Sequence, residues 1–187
     1  MKNISDEEII KLILKNNRKS QKAFAVILER YSERLYWHVR KIVISHDDAD
    51  DVVQNTFIKV FRSLHLFRGD SRFYTWLYRI GTNEALSFLQ KKKLHQSEDI
   101  DDHIVALTGT LQSDQYFDGD DIQQKLQQAI AQLPDKQRVV FNMKYFDDMK
   151  YTDMAEILET SVGALKASYH HAVKKIETFI QNEGSEN

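Results

Sequence analysis

The chain has 187 residues, enough for one ordinary domain or two small ones, and contains no cysteine, which excludes disulfide frameworks and zinc-thiolate sites. No apolar run is long enough to span a bilayer, and the N-terminal stretch "MKNISDEEIIKLILKNN" holds the acidic run Asp6 to Glu8 where a signal peptide would be basic. We therefore expect a soluble, cytoplasmic protein without a membrane segment. A single proline, only six glycines and apolar residues at helical spacing predict an all-α fold.

The formal net charge of −2 hides an uneven distribution along the chain. Residues 94–121 hold eight Asp and Glu and no Lys or Arg, so the remainder carries 26 basic against 20 acidic residues. This segment also lacks sustained apolar periodicity, and we interpret it as an acidic flexible linker. The linker divides the chain into two small helical modules, which we place at residues 5–93 and 122–182.

Three helices are predicted in the first module before residue 67. The first begins at a capping box, with Ser5 as cap and Glu8 three residues later. The second carries an apolar stripe from Phe24 to Ile42. The third begins at "HDDADDVVQNTFIKVFRSL", where the aspartates favour the positive end of the helix dipole. Together these helices predict a compact bundle.

The stretch "FRGDSRFYTWLYRIGTN", residues 67–83, interleaves five aromatic residues with three arginines. It predicts a fourth helix that begins at Asp70 or Ser71. At 3.6 residues per turn, one face of this helix gathers Arg72, Trp76, Arg79, Asn83, Ser87 and Gln90. The opposing core face gathers Phe73, Leu77, Ile80, Gly81 and Phe88, with Glu84 as an unexpected acid among them.

The first of these faces suits unpaired nucleic-acid bases. Rings stack on any base, arginines neutralise phosphates, and an amide can read a base edge. The alternative is that Trp76 covers the edge of the module while the arginines are only solvated.

The second module ends in a pattern typical of a helix-turn-helix. After Pro134 and the cap candidate Asp135, three helices follow, and only "ETS" separates the last two. The last helix has a predicted buried stripe of Val162, Leu165, Tyr169, Val173, Ile176 and Ile180. Its outward face has small residues first and cations later, which suits a DNA major groove. A helical hairpin of purely structural use is the alternative.

These three motifs, in this order, resemble those of the extracytoplasmic-function sigma factors of bacterial RNA polymerase. The motifs are "DADDVVQNTFIKVF", "FRGDSRFYTWLYRIGTN" and "LPDKQRVVFNMKYF" continuing to "YTDMAEILETSVGALKASYHHAVKKI". The resemblance covers residues 5–180. It implies a non-enzymatic protein without a cofactor that binds core RNA polymerase and promoter DNA, and it implies an anti-sigma factor as a further partner.

The resemblance also assigns roles to residues. Core polymerase would be bound by Asp48, Asp51, Gln54 and Asn55. The minus-ten element would be melted and its single strand held by Phe67, Arg68, Arg72, Tyr74, Trp76, Arg79 and Asn83. The minus-thirty-five element would be read by Lys166, Ala167, His170, His171 and Lys174. The linker would thread the polymerase cleft.

Two departures from the family pattern stand out. The family usually has an acid at the position of Asn55. Its recognition helix also has arginines where Ser168 and His171 stand, so this helix is less cationic than the resemblance predicts, and its base preference cannot be carried over.

Parts of the sequence also fit three other functional classes. The run "DDADD" fits the DDxxD pattern of magnesium-dependent all-α isoprenoid synthases, but no convincing second aspartate-rich helix accompanies it. The pair His46 and Asp47 suggests a metal phosphohydrolase, but further histidines at suitable spacing are missing. A helix-turn-helix regulator with a helical sensor domain would explain the second module but not the aromatic and arginine face of the first.

Overall fold

The protein is described by a computed structural model over residues 4–15, 19–95 and 121–184. Within these ranges every regular element is helical, which confirms the predicted all-α fold. The eight α-helices are α1 (Asp6–Leu14), α2 (Ser20–Val43), α3 (His46–Ser63), α4 (Phe73–His95), α5 (Asp121–Ala131), α6 (Asp135–Tyr145), α7 (Tyr151–Leu158) and α8 (Val162–Gly184). A short 3₁₀ helix, Leu64–Leu66, follows α3. Of the predicted acidic linker, residues 96–120 lie outside the described residues.

Helix α2 is the centre of the first module. It contacts α1, α3 and α4, and its predicted apolar stripe is buried except at Phe24 and Leu28, which are partly exposed. The side chains of Ile27, Leu35 and Val39 are fully buried along this stripe. Because removing such aliphatic side chains from water is the main favourable term in folding, α2 organises the bundle around itself.

The start of α1 agrees with the sequence signals, whereas the starts of α4 and α6 differ from them. Ser5 and Glu8 form the predicted capping box at α1, each accepting from the other's backbone N–H. Helix α4 begins at Phe73 rather than at Asp70 or Ser71, because Gly69 takes a left-handed backbone conformation with φ 79° just before it. At α6 the cap position is Pro134, and Asp135 is the first helical residue instead of the cap.

The helices of the second module pack directly on the first module. Helix α6 lies against α2, and α7 lies against α4. Met143, Met154 and Ile157 are buried in one continuous apolar cluster with the core of the first module. A second cluster, built from α5, α6 and α8, includes Phe141 and Ile176 and fixes α8 on α6. The described residues therefore form one compact body in which the two modules share a core.

Gly81 marks the closest approach between α4 and α2. A Cβ atom at this position would lie 2.8 Å from Cδ1 of Leu35, which is itself fully buried. The sequence placed Gly81 on the core face, and its burial confirms this. The absence of a side chain lets the two helices pack closely.

We expect Gly81→Val to lower the free energy of unfolding by about 1–3 kcal/mol, because the added atoms overpack the contact with Leu35. Gly163→Ala is the matched control, since a Cβ there would lie 4.0 Å from Ser161 Oγ, which is an ordinary van der Waals distance. It should stabilise the exposed helix by up to about 1 kcal/mol. Urea unfolding followed by circular dichroism measures both, and equal stability of the two variants would contradict the close approach.

Candidate nucleic-acid interface

The residues predicted to contact a single strand divide between two sides of α4 and the loop before it. Arg68, Arg72 and Asn83 are exposed, whereas Phe67, Tyr74, Trp76 and Arg79 are partly buried. Tyr74 is two residues after Arg72, so it points to the opposite side of the helix. The predicted set therefore does not form one continuous surface: Tyr74 faces the second module.

Trp76 belongs to an aromatic cluster at the start of α4. Its ring centroid lies 5.3 Å from that of Phe67 and 5.9 Å from that of Phe73. Phe73 in turn packs at 5.6 Å against Tyr31 of α2. Trp76 thus combines the two interpretations of the sequence, since it packs against the bundle and still keeps part of its ring accessible.

Tyr74 is enclosed between α4 and the second module. Its ring lies 4.2 Å from that of Tyr78, centroid to centroid. Burial, followed by the negative charges of Asp147 and Asp153, raises the pKa of Tyr74 to about 12. The Tyr74 hydroxyl is therefore neutral at physiological pH and remains a hydrogen-bond donor.

On α3 the predicted polymerase-binding residues are not equivalent. Asp51, Gln54 and Asn55 are exposed. Asp48 is mostly buried, and its Oδ2 accepts from Lys92 Nζ of α4 at 2.7 Å. The carboxylate of Asp48 therefore ties α3 to α4, and the exposed polar surface of this face consists of the other three side chains.

An apolar groove adjoins this polar face and was missed by sequence reasoning. It has a volume of about 520 Å³ and lies between α2 and α3. Ile58 and Phe61, which line it, are 44% and 49% exposed. The available signal was their spacing, because they follow Gln54 by four and seven residues and so continue its face of α3.

The predicted outward face of α8 is exposed. Leu165, Ala172 and Ile176 are buried, and Tyr169 stacks on Phe141 with the centroids 5.8 Å apart, which fixes the rotation of α8 about its axis. The residues predicted to read DNA all face away from the core: Lys166, Ala167, His170, His171 and Lys174. The serine hydroxyl of Ser161 caps the helix by accepting from Ala164 N at 3.2 Å.

A polar cluster joins the loop between α6 and α7 to α2. The Asp147 carboxylate accepts from Lys41 Nζ at 2.6 Å and lies 3.2 Å from His38 Nδ1. His38 is fully buried and its Nε2 is 2.9 Å from Thr82 Oγ1 of α4. Burial favours the neutral form of Asp147, but His38 and Lys41 outweigh it and hold its pKa below the ordinary value. This contribution to stability is present at neutral pH and is lost as the pH falls through the lowered pKa.

The described residues were searched for metal sites and for membrane-spanning helices, and neither is found among them. No group of three His, Asp or Glu side chains among them is arranged to hold a metal ion. Nor is any of their helices long and apolar enough to cross a membrane.

Comparison with known families matches both modules. The family described as "Sigma-70 region 2" matches residues 27–95. The family described as "Sigma-70, region 4" matches residues 123–176. The chain is 29% identical to the RNA polymerase sigma-H factor of Pseudomonas aeruginosa, over 95% of this chain and 96% of that protein. It is 30% identical to the ECF RNA polymerase sigma-E factor of Escherichia coli K12, over 95% of each chain.

Solved structures share the fold. One is CnrH in complex with the cytosolic domain of CnrY, with a TM-score of 0.66 and 22% identity, covering 95% of this chain and 97% of that chain. Another is RpoE in complex with the anti-sigma factor NepR from Bartonella quintana, with a TM-score of 0.65 and 23% identity, covering 86% and 98%.

The fold and the two regions define an RNA polymerase sigma factor, a class of protein that is not enzymatic and that directs promoter-specific initiation of transcription. Within that class, the chain belongs to the extracytoplasmic-function (ECF) family.

Because Trp76 is packed in the aromatic cluster, we expect Trp76→Ala to lower the free energy of unfolding by about 1–3 kcal/mol, less than at a fully buried tryptophan. Arg72→Ala, on the same face but exposed, should change it by less than about 0.5 kcal/mol. Urea unfolding compares the two. If both variants match the wild type in stability, the tryptophan does not pack as described.

Proposed function

We propose that three separate surfaces divide the work of promoter recognition. Residues 5–93 act as region 2 and residues 122–182 as region 4, with 94–121 as the linker between them. The exposed face of α3 binds core RNA polymerase, the start of α4 opens the minus-ten element, and α8 reads the minus-thirty-five element. The observation that carries the proposal is that one chain has both the aromatic and arginine surface of α4 and the outward cationic face of α8.

The polymerase-binding surface combines a polar strip with an apolar groove. Asp51, Gln54 and Asn55 supply the strip, and Ile58 and Phe61 extend it as exposed apolar side chains. Interfaces of stable complexes bury an apolar centre inside a polar rim, and this arrangement matches that description. Asp48 supports the surface from below through its ion pair with Lys92.

The promoter-opening surface has ring faces and cations at the start of α4. Trp76 and Phe67 can stack on unpaired bases, and Arg68 and Arg72 can contact phosphates, since both are exposed. Asn83, one turn beyond Arg79, can read a base edge with its amide.

Region 4 reads duplex DNA with α8 in the major groove. Exposed Ala167 permits close approach, while Lys166 and Lys174 reach phosphates. His170 and His171 supply ring nitrogens that can donate or accept toward base edges. Because α8 contains no arginine, this helix should depend more on the rest of the complex for affinity.

The chain acts as a binding subunit in the cytoplasm without catalytic chemistry of its own, because the roles proposed for its surfaces are contacts with polymerase and DNA. An anti-sigma factor is a further proposed partner. The support for it is the fold shared with RpoE, which was solved in complex with the anti-sigma factor NepR.

The first test concerns polymerase binding. We expect Asp51→Lys combined with Gln54→Ala to weaken association with core polymerase by about 5- to 30-fold, the effect of losing one or two central contacts. Phe61→Ser should weaken it similarly by removing apolar contact area. Titration of labelled core polymerase measures the dissociation constants.

The control for this test is Glu33→Lys, an exposed charge reversal on α2 outside the proposed surface. It should leave the dissociation constant unchanged. Wild-type affinity in both α3 variants would refute the assignment of this face.

The second test follows promoter opening by permanganate footprinting of thymines near the start site. Trp76→Ala should lose about 1–3 kcal/mol of base stacking and open duplex promoters poorly, yet use pre-melted promoters well. Asn83→Ala should relax base preference more than overall affinity, because an amide reads an edge whereas a ring reads only a face.

The footprints are interpreted at temperatures where circular dichroism shows every variant folded, since Trp76→Ala also costs stability. If folded Trp76→Ala opens duplex promoters as well as wild type, or fails equally on pre-melted ones, α4 does not open the promoter in this way.

A further inference from the structure

Lys166 is the first cation on the outward face of α8, and its ammonium group lies over an aromatic ring of the neighbouring helix. Its Nζ atom is 5.8 Å from the centroid of the Tyr151 ring. Tyr151 is the first residue of α7, so this contact joins the two helices of the helix-turn-helix. A cation within about 6 Å of a ring centroid is attracted by the negative face of the ring. The position of the Lys166 ammonium group is therefore set by α7 as well as by α8.

The ring of Tyr151 is itself held in place. Tyr151 is partly buried and packs against the apolar core cluster. Lys144 Nζ of α6 lies 5.7 Å from the centroid of the same ring. Lys144 is fixed in turn, because it donates to Asp148 Oδ1 at 3.0 Å and to Met149 O at 3.2 Å. The ring therefore offers Lys166 a fixed support rather than a mobile one.

The two ammonium groups beside this ring differ in how far their charge is neutralised. Lys144 pairs with the carboxylate of Asp148. Lys166 is exposed and, within the described ranges of the chain, forms no ion pair with a carboxylate. Because an aromatic ring carries no net charge, the contact with Tyr151 leaves the positive charge of Lys166 available to a phosphate.

A lysine on a helix surface loses side-chain entropy when it binds a phosphate. Its flexible four-carbon stem has many rotamers in the free protein, and the contact with DNA selects a few of them. A ring that already restricts the ammonium group reduces this loss, provided that the ring contact persists in the complex. Since α8 has no arginine, whose planar group is preorganised by its own geometry, this support matters more here.

We propose that Tyr151 is a positioning residue for duplex DNA: its ring holds the ammonium group of Lys166 in the orientation in which Lys166 contacts a phosphate of the minus-thirty-five element. Tyr151 acts through Lys166 and not by a contact of its own with DNA. The ring face carries the effect, so phenylalanine should serve in its place. This inference rests on the proposed function of α8 in the major groove.

Nuclear magnetic resonance tests the ring contact in the full-length chain without DNA. Protons above the face of an aromatic ring are shifted upfield by the ring current. We expect this shift for the ε-methylene protons of Lys166, retained in Tyr151→Phe and lost in Tyr151→Leu and Tyr151→Met. Lys174, whose ammonium group lies over none of the rings in the described ranges, provides the reference resonance.

Fluorescence anisotropy with a labelled mixed-sequence duplex of about 25 base pairs measures DNA binding by the full-length chain, because phosphate contacts are independent of base sequence. Tyr151→Leu and Tyr151→Met each remove the ring but keep an apolar side chain against the core. We expect both to weaken binding by about two- to tenfold, the effect of ordering one flexible side chain on binding. Tyr151→Phe should bind as the wild type does. Circular dichroism confirms that each variant is folded under these conditions.

Double variants show whether Tyr151 acts through Lys166. Lys166→Met should reduce the slope of log affinity against log salt concentration by about 0.9, the value for one phosphate contact. In the Lys166→Met background, Tyr151→Leu should cause no further loss of affinity, because the group that the ring positions is gone. The matched control is Lys174→Met, which removes a cation of the same helix. In that background Tyr151→Leu should weaken binding by the same factor as in the wild type.

The outcomes distinguish the positioning role from the function on which it rests. An unchanged salt slope in Lys166→Met overturns the assignment of Lys166 to a phosphate and, with it, this inference. A reduced slope, combined with wild-type binding in both folded ringless variants or with equal losses in both lysine backgrounds, overturns only the role of Tyr151. Tighter binding without the ring shows that the ring withholds Lys166 from DNA. A loss in Tyr151→Phe as large as in Tyr151→Leu assigns the effect to the hydroxyl, and either result overturns the proposal.

Discussion

The last turn of α2 is the constraint on which the rest of the structure depends. Its carbonyls at Lys41 and Ile42 face region 4, and it ends at Ile44, a branched residue in the left-handed conformation with φ 71°. That conformation is unfavourable for a β-branched side chain, and the burial of Ile44 offsets the cost. The reversal sends the chain into α3 within two residues. The polymerase-binding face, the core and the contact with region 4 are thereby all fixed to one helix end.

Helix α4 has to satisfy packing and recognition with the same side chains. Gly81 lets it approach α2 closely, and Phe73 and Trp76 anchor its start in an aromatic cluster. A ring that is partly packed is held in a defined orientation, and it loses less side-chain entropy when a base stacks on it than a freely rotating ring would. The same packing means that removing the ring disturbs both stability and binding. The effect of a substitution on binding can be separated from its effect on stability only by comparing packed and exposed residues of the same face of α4.

The helical spacing of apolar residues predicted the features that depend on residues close together in the sequence. The two faces of α4 and the outward face of α8 follow from 3.6-residue spacing, and the buried stripes at Leu35 and Leu165 agree with it. Glu84, the acid that seemed misplaced on α4, is explained by an ion pair with Lys59 of α3. Helix α5 was not predicted, because it lies next to the acidic segment and its apolar residue Ile122 is largely exposed. Contacts such as Asp147 with His38 join residues more than one hundred positions apart, and no local pattern encodes them.

The polar contacts between the modules differ in how much they contribute to stability. The pair Arg79 and Glu159 is substantially exposed, so it contributes at most about 1 kcal/mol to stability. Asp147 is largely buried, and losing one partner there leaves a charge without compensation, which is far more costly. The packing of one module on the other therefore depends on Asp147 and the shared core more than on the pair of Arg79 and Glu159. A buried, doubly paired carboxylate at one end of the contact and an exposed ion pair at the other therefore contribute unequally to the packing of the two modules.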